Sequence, residues 1–184
     1  NGLLVKDYDC LNETVFASIL ADSSDSMELN ELERAVVKTF DMVVVNLRSI
    51  DDIVSVSKDA DEVLSKIDVA GLAVLRAAAK NYKHVTVITD KVDYYVALNA
   101  NEFGRMKLAL KAFNFASNYD RQICTKLAEQ LGDKPFKTFN FEKLKDLKYG
   151  ENPHQLASVY KMEKMVDYEV INGKELSFNN ILNV

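Results

Sequence analysis

The sequence Met42-Val43-Val44-Val45-Asn46-Leu47 is a continuous run rich in β-branched side chains. Such a run is typical of a strand buried on both faces of a parallel sheet. Residues 84–89 form a second run of the same kind, and helical patterns lie between the two. Alternation of helices with buried strands predicts an α/β fold with parallel pairing.

The pattern of apolar residues predicts the neighbouring elements as well. Residues 28–39 carry leucine and valine at helical intervals among charged residues, which predicts an amphipathic helix before the first strand. Gly132 follows a segment without proline or glycine and is expected to end a long helix or a pair of helices. The other predicted helices cover residues 59–66, 72–80, 91–100 and 105–131, and later strands are expected at 157–160 and 168–171.

Composition excludes several classes of function. The chain has 184 residues, 48% of them hydrophobic, and 28 acidic against 23 basic residues give a formal charge of −5. Without a basic run interleaved with aromatics, nucleic-acid binding is disfavoured. No apolar segment approaches the roughly 20 residues that a membrane span needs, and a secretory leader pattern is absent. We therefore expect a cytoplasmic protein that binds neither nucleic acid nor membrane.

The cysteines and histidines do not predict a metal site. Cys10 and Cys124 are far apart in sequence and belong to no C-x-x-C pair. His84 and His154 share neither a helix face nor a ligand spacing. We expect no disulfide and no bound metal.

Asn46 stands at the carboxyl end of the first predicted strand. In open α/β sheets ligands bind at that end, so an amide there followed by Arg48 is a candidate substrate-facing pair. The alternative is a capping asparagine and a solvated arginine.

Residues 148–155 read Lys-Tyr-Gly-Glu-Asn-Pro-His-Gln, which combines a cation, a phenol and a turn. Gly150 permits a positive φ or a close backbone approach, and Pro153 fixes its own φ near −65°. The segment predicts a turn built to hold an anion, or else an ordinary Asn-Pro turn. His154 alone in such a turn is more often a structural hydrogen-bonding residue than a proton carrier.

This segment resembles the Arg-Tyr-Gly-Glu-Asn-Pro-His-Gln signature of the bifunctional purine-biosynthesis family that joins AICAR transformylase to IMP cyclohydrolase. Lys148 stands where that family usually has arginine. Further collinear similarities are Asp41-Met42-Val43-Val44-Val45-Asn46-Leu47, Ile67-Asp68-Val69-Ala70-Gly71 with Arg76-Ala77-Ala78-Ala79-Lys80-Asn81, and Asn172-Gly173-Lys174-Glu175-Leu176-Ser177-Phe178-Asn179-Asn180. Nothing before Phe16 resembles the family's phosphate-binding turns, and Arg48 replaces its active-site tyrosine.

The resemblance implies a fold and a domain division. The fold would be a three-layer α/β arrangement with a parallel sheet, like that of methylglyoxal synthase, followed by the beginning of a second α/β domain. The cyclohydrolase-like domain would cover residues 1–132, apparently without its front strands. A connector would cover 133–147, and the start of the transformylase domain 148–184.

The resemblance also implies site residues. Lys80, Asp68 and Asn46 correspond to catalytic positions of the cyclohydrolase. Lys148, Tyr149 and Asn179 correspond to nucleotide contacts on the transformylase side. Read from the residues alone, Lys80 is equally a favourable cation at a helix end, and Asp68 a helix-start carboxylate.

The implied activity is closure of formyl-AICAR to IMP, with nucleotide contacts for formyl transfer from 10-formyltetrahydrofolate. That folate is a co-substrate of the full family enzyme, and no cofactor is expected to be bound by this chain, nor formyl transfer by this chain alone. The expected ligands are the purine nucleotides AICAR, formyl-AICAR and IMP, and the expected assembly is a homodimer. Two alternatives stay open: a non-catalytic dimerisation or scaffold domain, and a phosphate-ligand-binding module like methylglyoxal synthase.

Overall fold

Two short parallel strands form the sheet of the first part of the chain. The computed structural model describes residues 11–132, 139, 141–162 and 177–179. The chain divides into two units, 1–135 and 136–184, each described by itself. Strand β1 (Met42–Val44) pairs in parallel with β2 (Thr86–Ile88), and Val45 N–H donates to the Ile88 carbonyl at 2.9 Å. The predicted parallel pairing of the two apolar runs is confirmed.

Helices surround this sheet. Most begin at an Asn or Asp whose side chain accepts a backbone N–H of the first turn, such as Asn12 and Asp59. Within the described ranges, no helix is both long and apolar enough to cross a membrane. The helices are α1 Glu13–Leu20, α2 Ser26–Arg34, α3 Ile50–Val56, α4 Ala60–Leu64, α5 Val69–Lys80, α6 Tyr94–Ala97 and α7 Glu102–Leu131, with a 3-10 turn at Lys91–Asp93.

The core lies between β2, α5 and α7. Leu75 and Ala78 of α5 and Ala112 of α7 are fully buried, and Val87 of β2 packs in the same cluster. Small side chains on both helices let their backbones approach each other and the sheet closely. The long segment predicted after residue 105 is one helix of 30 residues, and Gly132 ends it with a φ of 67°.

The expectation that β1 is buried on both faces is wrong. Val43 is buried, but Met42 is 37% exposed and Val44 is 50% exposed. All three residues of β2 are buried. The difference arises because, among the described residues, β1 has only β2 beside it, and only the Val43 side of β1 faces the core.

Helix α2 is shorter than the predicted 28–39 and ends at Arg34. The N–H of Val37 donates to the Leu32 carbonyl, and that of Val36 to the Glu33 carbonyl, which is the pattern of a Schellman motif. Val36 therefore occupies the left-handed position, with a φ of 57°. The periodic apolar residues continue past this point, but the backbone turns, so periodicity overestimated the helix.

The second unit contains an antiparallel hairpin. Strand β3 (Phe141–Asp146) pairs with β4 (Ser158–Met162), with a bulge between Lys143 and Lys145. The strand predicted at 157–160 is confirmed, whereas that predicted at 168–171 lies outside the described residues. Strand β3 falls within the stretch 133–147 that was expected to be a connector; the division into domains stays a prediction.

Candidate functional site

A pocket lies at the carboxyl ends of the two parallel strands, where ligands bind in open α/β sheets. Asn46 follows β1, Thr89 and Asp90 follow β2, and one side of α7 forms the opposite wall. The cavity has a volume of about 420 Å³. We call it the carboxyl-end pocket, and its lining residues are Asn46, Thr89, Asp90, Lys91, Lys111, Asn114, Phe115 and Asn118.

Lys111 links the α7 wall of this pocket to the segment after β2. Its Nζ lies 2.6 Å from Asp93 Oδ2 and 3.3 Å from Asp90 Oδ2. The hydrogen bond to Asp93, followed by that to Asp90, raises the pKa of Lys111 above its ordinary value. The Asp90 carboxylate also accepts the backbone N–H of Val92, which is the largest cause of its lowered pKa. The pocket therefore contains a charged lysine that already has two carboxylate partners.

Asp68 caps the start of α5 close to the same end of the sheet. Its Oδ1 accepts the backbone N–H of Gly71 at 2.7 Å. A Cβ on residue 71 would lie 2.6 Å from both Asp68 Oδ2 and Leu47 Cδ2, so Gly71 allows a close approach of these two side chains. Because Leu47 follows Asn46 directly, the structure brings Asp68 and Asn46 to one region. The helix-start role that the sequence allowed for Asp68 is observed.

Tyr119 connects α7 to Asp68. It is 3% exposed, and its hydroxyl lies near enough to the backbone of Asp68 for that backbone to influence the pKa of the phenol. Burial raises the pKa of Tyr119, and the carboxylates of Asp68 and Asp120 act in the same direction. The Tyr119 ring also contacts that of Phe115 in the pocket wall, with 6.1 Å between ring centroids. Sequence analysis did not single out Tyr119 as a site residue.

Lys80 does not lie near Asp68. Helix α5 has twelve residues, with Asp68 at its N-cap and Lys80 as its last residue. At 1.5 Å per residue, the two backbones are separated by about 18 Å along the helix axis. Lys80 is exposed, and its neighbour Asn81 fastens this end of α5 to the carbonyls of Ile19 and Ala21. The structure therefore places Asp68 near Leu47, the residue after Asn46, but leaves Lys80 at the opposite end of α5.

The segment 148–155 is the loop of the β3–β4 hairpin. The Gly150 N–H donates to the Gln155 carbonyl at 2.8 Å, and the Asn152 N–H donates to Gln155 Oε1 at 2.9 Å. A Cβ on Gly150 would lie 3.0 Å from the Cβ of Gln155. Gly150 therefore allows Gln155 to approach its backbone closely, and it does not adopt a positive φ. The predicted turn is present.

The three residues of the predicted nucleotide contact lie near this loop. Lys148 is exposed and Tyr149 is half-buried. The Phe178 N–H donates to the Tyr149 carbonyl at 3.3 Å, which brings the adjacent, exposed Asn179 to the same part of the second unit. His154 is exposed on the loop. Their roles in binding stay predictions.

The α7 wall of the carboxyl-end pocket was missed by sequence analysis. Lys111, Asn114 and Asn118 recur at intervals of three and four residues, which places them on one side of the helix. That spacing could have indicated a polar stripe, although no local pattern shows that the stripe faces the end of a strand.

Other cavities lack this position in the fold. A larger one of about 790 Å³ lies along α1 and α2, with apolar side chains and glutamates in its lining and no strand end beside it. In the part of the chain that the structure describes, no group of three or more His, Cys, Asp or Glu side chains could hold a metal ion. Cys124 is exposed with a free thiol, while Cys10 lies outside the described residues. The carboxyl-end pocket is therefore the candidate site in the first unit.

The first unit belongs to the α/β class, with a small parallel sheet and a polar pocket at the carboxyl ends of its strands, the position at which open α/β sheets bind ligands. The sequence model of the AICARFT/IMPCHase bienzyme family matches residues 78–184. The chain belongs to this family.

Individual relatives agree with the family match. The chain is 37% identical over 93% of its length to the bifunctional purine biosynthesis protein PurH of Acetivibrio thermocellus, and 40% identical over 93% to that of Clostridium botulinum. It spans 36% of the length of each of these two proteins. Among solved structures, ForH is similar with a TM-score of 0.58 and 28% identity, over 68% of this chain and 70% of that one.

Proposed function

We propose that this chain acts in de novo purine biosynthesis and that its first unit closes formyl-AICAR to IMP. The observation that carries the proposal is the position of Asn46 in the carboxyl-end pocket, in a chain of the AICARFT/IMPCHase family. Asp68, which caps α5 beside Leu47, supplies a fixed carboxylate near the same strand end. For the complete unit we propose the three-layer, methylglyoxal-synthase-like fold. We also propose that the protein is located in the cytoplasm.

Ring closure places specific demands on the site. The carboxamide nitrogen attacks the formyl carbon, the formyl oxygen takes up a proton, and water then leaves as the ring becomes aromatic. The barrier lies in the charge that develops on the formyl oxygen and in the movement of protons. An amide N–H from Asn46 suits the oxygen. A carboxylate such as Asp68 suits the attacking nitrogen, which must lose its proton.

Lys80 lies too far from Asp68 to act at the same reaction centre. A rise of about 18 Å along α5 separates it from Asp68, so a single bond-making centre does not contact both without a large change in the helix. We therefore assign the chemistry to the end with Asn46 and Asp68. Lys80 stays a predicted catalytic residue on the strength of its motif, and the same assay tests it.

The decisive experiment measures closure of formyl-AICAR by the wild-type chain and by Asp68→Asn, Asn46→Ala and Lys80→Ala. We expect at least a tenfold loss for the first two substitutions, which corresponds to about 1.4 kcal/mol of transition-state stabilisation. Lys83→Ala is the matched control for Lys80, because Lys83 is an exposed lysine three residues away. Equal rates in wild type and Asp68→Asn, or no closure by any of these proteins, would contradict the proposal; binding of IMP without closure would favour a non-catalytic domain.

For the second unit, we propose that Lys148, Tyr149 and Asn179 contact AICAR during formyl transfer, with 10-formyltetrahydrofolate as co-substrate. The hydrogen bond between Phe178 and Tyr149 supports a common surface for these residues. A lysine neutralises a phosphate but lacks the two-pronged geometry of arginine. Lys148→Arg should therefore bind AICAR more tightly than wild type, and Lys148→Ala more weakly, in isothermal titration. An unchanged affinity in both variants would remove Lys148 from the site.

We also propose that the protein is a homodimer. In the described residues, β1 has a neighbouring strand on one side only, and an unpaired strand edge favours association with further chain. Sedimentation equilibrium over a range of concentrations tests this proposal. A single species with the monomer mass of 20.7 kDa at all concentrations would contradict it.

A further inference from the structure

Ser23 and Asp22 hold the imidazole of His84 between them. Ser23 Oγ lies 2.6 Å from His84 Nδ1, and Asp22 Oδ1 lies 3.1 Å from His84 Nε2. An ionised carboxylate only accepts hydrogen bonds, so the neutral imidazole carries its proton on Nε2 and donates it to Asp22. Nδ1 is then an acceptor, and the Ser23 hydroxyl donates to it. A hydroxyl bonded to an imidazole that a carboxylate orients is the arrangement of an activated serine nucleophile.

A tight turn presents the hydroxyl and fixes the carboxylate. The Asp25 N–H donates to the Asp22 carbonyl at 3.0 Å, which closes a β-turn with Ser23 and Ser24 at its centre. Asp22 Oδ1 also accepts the Ser24 N–H at 2.8 Å and the Ser24 hydroxyl at 2.5 Å. Ser23 is therefore exposed on the turn, while the carboxylate beside it is held in one orientation.

The imidazole is fixed from the opposite side. The His84 N–H donates to the Asn81 carbonyl at 3.0 Å, in the turn before β2. The Asn81 amide in turn donates to the carbonyls of Ile19 and Ala21 at 2.8 and 2.9 Å. Because Ala21 directly precedes Asp22, these bonds keep the imidazole beside the serine turn.

Backbone donors lie close to the serine in the chain. Helix α2 begins at Ser26, three residues after Ser23. Within residues 11–132, no group accepts the N–H of Ser23 or that of Ser26. Free N–H groups at a helix start favour negative charge, so they suit the oxyanion that forms when a serine attacks a carbonyl.

The cavity of about 790 Å³ along α1 and α2 begins beside this turn. Ala21 lines it, and so does Glu28, whose Oε2 accepts the Asp22 N–H at 2.8 Å. Its other lining residues are apolar or glutamate apart from one threonine, and no lysine or arginine is among them. Such a lining suits an apolar chain and repels an anionic one.

We propose that Ser23, His84 and Asp22 hydrolyse small uncharged esters whose apolar acyl chain lies in this cavity. Ser23 Oγ bonds to the ester carbonyl carbon, its proton passes to His84 Nδ1, and the alcohol takes that proton as its C–O bond breaks. Water then attacks the acyl-serine and gives a proton to Nδ1, and Ser23 recovers that proton as the acid leaves. Ser23 and His84 are catalytic residues, and Asp22 is a positioning residue. The hydrolysis does not depend on the proposed ring closure, because it uses no residue of the carboxyl-end pocket.

A fluorophosphonate probe tests the nucleophile in the full chain. Oγ bonds to phosphorus, fluoride leaves, and the hydroxyl proton passes to His84. Peptide mass mapping should place the label on Ser23 and not on Ser24 or Ser55, two exposed serines whose hydroxyls donate to a carboxylate and a carbonyl. His84→Gln should slow labelling at least tenfold, since a positioned base typically contributes about 10²–10⁴-fold. Lys83→Gln, at the exposed neighbouring residue, is the matched control.

Ester turnover is measured with p-nitrophenyl butyrate and with the anionic p-nitrophenyl hemisuccinate. The wild-type chain should hydrolyse the butyrate faster than the hemisuccinate, and Ser23→Ala should lose at least tenfold in kcat/KM, whereas Ser55→Ala should not. Asp22→Asn should lower kcat more than it changes KM, and Asp22→Glu should restore part of kcat, which a purely structural role would not produce.

Three results would overturn the proposal: label spread equally over the three serines, an unchanged labelling rate in His84→Gln, or labelling of Ser23 without ester turnover. Thermal unfolding shows whether each variant is folded. Ser23→Ala changes only an exposed hydroxyl, so its loss of turnover remains decisive if His84→Gln does not fold.

Discussion

The Asp68 carboxylate caps the N–H of Gly71 and also occupies the space where a side chain on residue 71 would begin. Oδ1 accepts the Gly71 N–H at 2.7 Å, and Oδ2 lies 2.6 Å from the position that a Cβ on residue 71 would take. The same Cβ would lie 2.6 Å from Leu47 Cδ2. The helix cap and the packing of the β1 end therefore both require glycine at this position.

Gly71→Ala should consequently destabilise the protein. Overpacking of this kind typically costs about 1–3 kcal/mol, because neither the capping carboxylate nor the end of β1 moves freely. Urea unfolding followed by circular dichroism measures the loss. The matched control is Gly104→Ala: Gly104 N–H is also capped, by Asn101 at 2.9 Å, but its Cβ would meet only Ala100 Cβ at 3.3 Å and Asn101 Oδ1 at 3.4 Å. Equal losses in the two variants would contradict the steric explanation.

The left-handed backbone conformation of Val36 predicts that replacing this residue will stabilise the protein. It is 90% exposed and occupies the left-handed position of the Schellman motif with a φ of 57°. A branched side chain in that region costs roughly 1–2 kcal/mol, which glycine avoids. Val36→Gly should raise the free energy of unfolding by up to about 1 kcal/mol, after the greater entropy of glycine in the unfolded chain is counted.

Val36→Ala is the control for this effect, since alanine keeps the Cβ that causes the strain. It should gain less than glycine does in thermal and urea unfolding. If alanine stabilised the protein as much as glycine, loss of an exposed apolar side chain would explain the gain instead of relief of backbone strain.

The lowered pKa of Asp22 predicts that the protein loses stability in acid. Hydrogen bonds from the Ser24 hydroxyl and backbone N–H lower the pKa of Asp22, and His84, whose Nε2 is 3.1 Å from Asp22 Oδ1, acts in the same direction. Because the folded pKa is below the unfolded value near 3.8, this contribution is present above that value and is lost as the pH falls through the folded pKa.

A carboxyl-detected NMR titration measures the pKa of Asp22 directly. Ser24→Ala removes the hydroxyl bond, the largest cause of the shift, so the pKa of Asp22 should rise towards its ordinary value. Ser55→Ala is the control, since the Ser55 hydroxyl donates to a backbone carbonyl of its own helix. An unchanged Asp22 pKa in Ser24→Ala would show that another group controls it.

Tyr119 predicts a link between the core and the candidate site. The side chain is 3% exposed, and its hydroxyl lies near the backbone of Asp68. Tyr119→Phe removes this polar group from beside the start of α5, so we expect a loss of about 1 kcal/mol in the free energy of unfolding. The amide signal of Asp68 should shift in NMR spectra, whereas that of the distant Lys80 should not; a change at neither residue would contradict the link.

The raised pKa of Tyr119 predicts the direction in which stability changes at high pH. Burial raises its pKa above the ordinary value of 10.0, so the folded state keeps the phenol proton more tightly than the unfolded state does. Stability should therefore fall as the pH rises above 10.0 towards the folded pKa. Ultraviolet absorbance of tyrosinate, compared between wild type and Tyr119→Phe, measures this group.

Elements with strong local signals were predictable from the sequence. The two apolar runs predicted the strands β1 and β2. The segment without proline or glycine predicted the long helix α7, and Gly132 predicted where that helix ends. The turn at 148–155 followed from glycine and proline chemistry. Helices α1 and α3 were not predicted, because each has only two or three turns and contributes few apolar residues to a periodic pattern.

Arg105 illustrates what escaped sequence reasoning. Its guanidinium donates to the carbonyls of Tyr82, Lys83 and Ala100, and so fastens the start of α7 to the turn before β2. In the sequence it is one more charged residue on an amphipathic helix. Its partners lie up to 23 residues away, and only the folded chain brings their carbonyls together.

The sequence by itself determined the family, the two parallel strands and the long helix that Gly132 ends, because a motif, an apolar run and a helix-ending glycine are each contained in a short stretch of neighbouring residues. Only the tertiary structure decided that Asp68 and Lys80 lie at opposite ends of α5, and that β1 is exposed on one face. It also decided that Lys111, Asn114 and Asn118 of α7 face Asn46 across a pocket. These relationships depend on how distant segments pack, and packing is a property of the whole core that no short stretch of sequence contains.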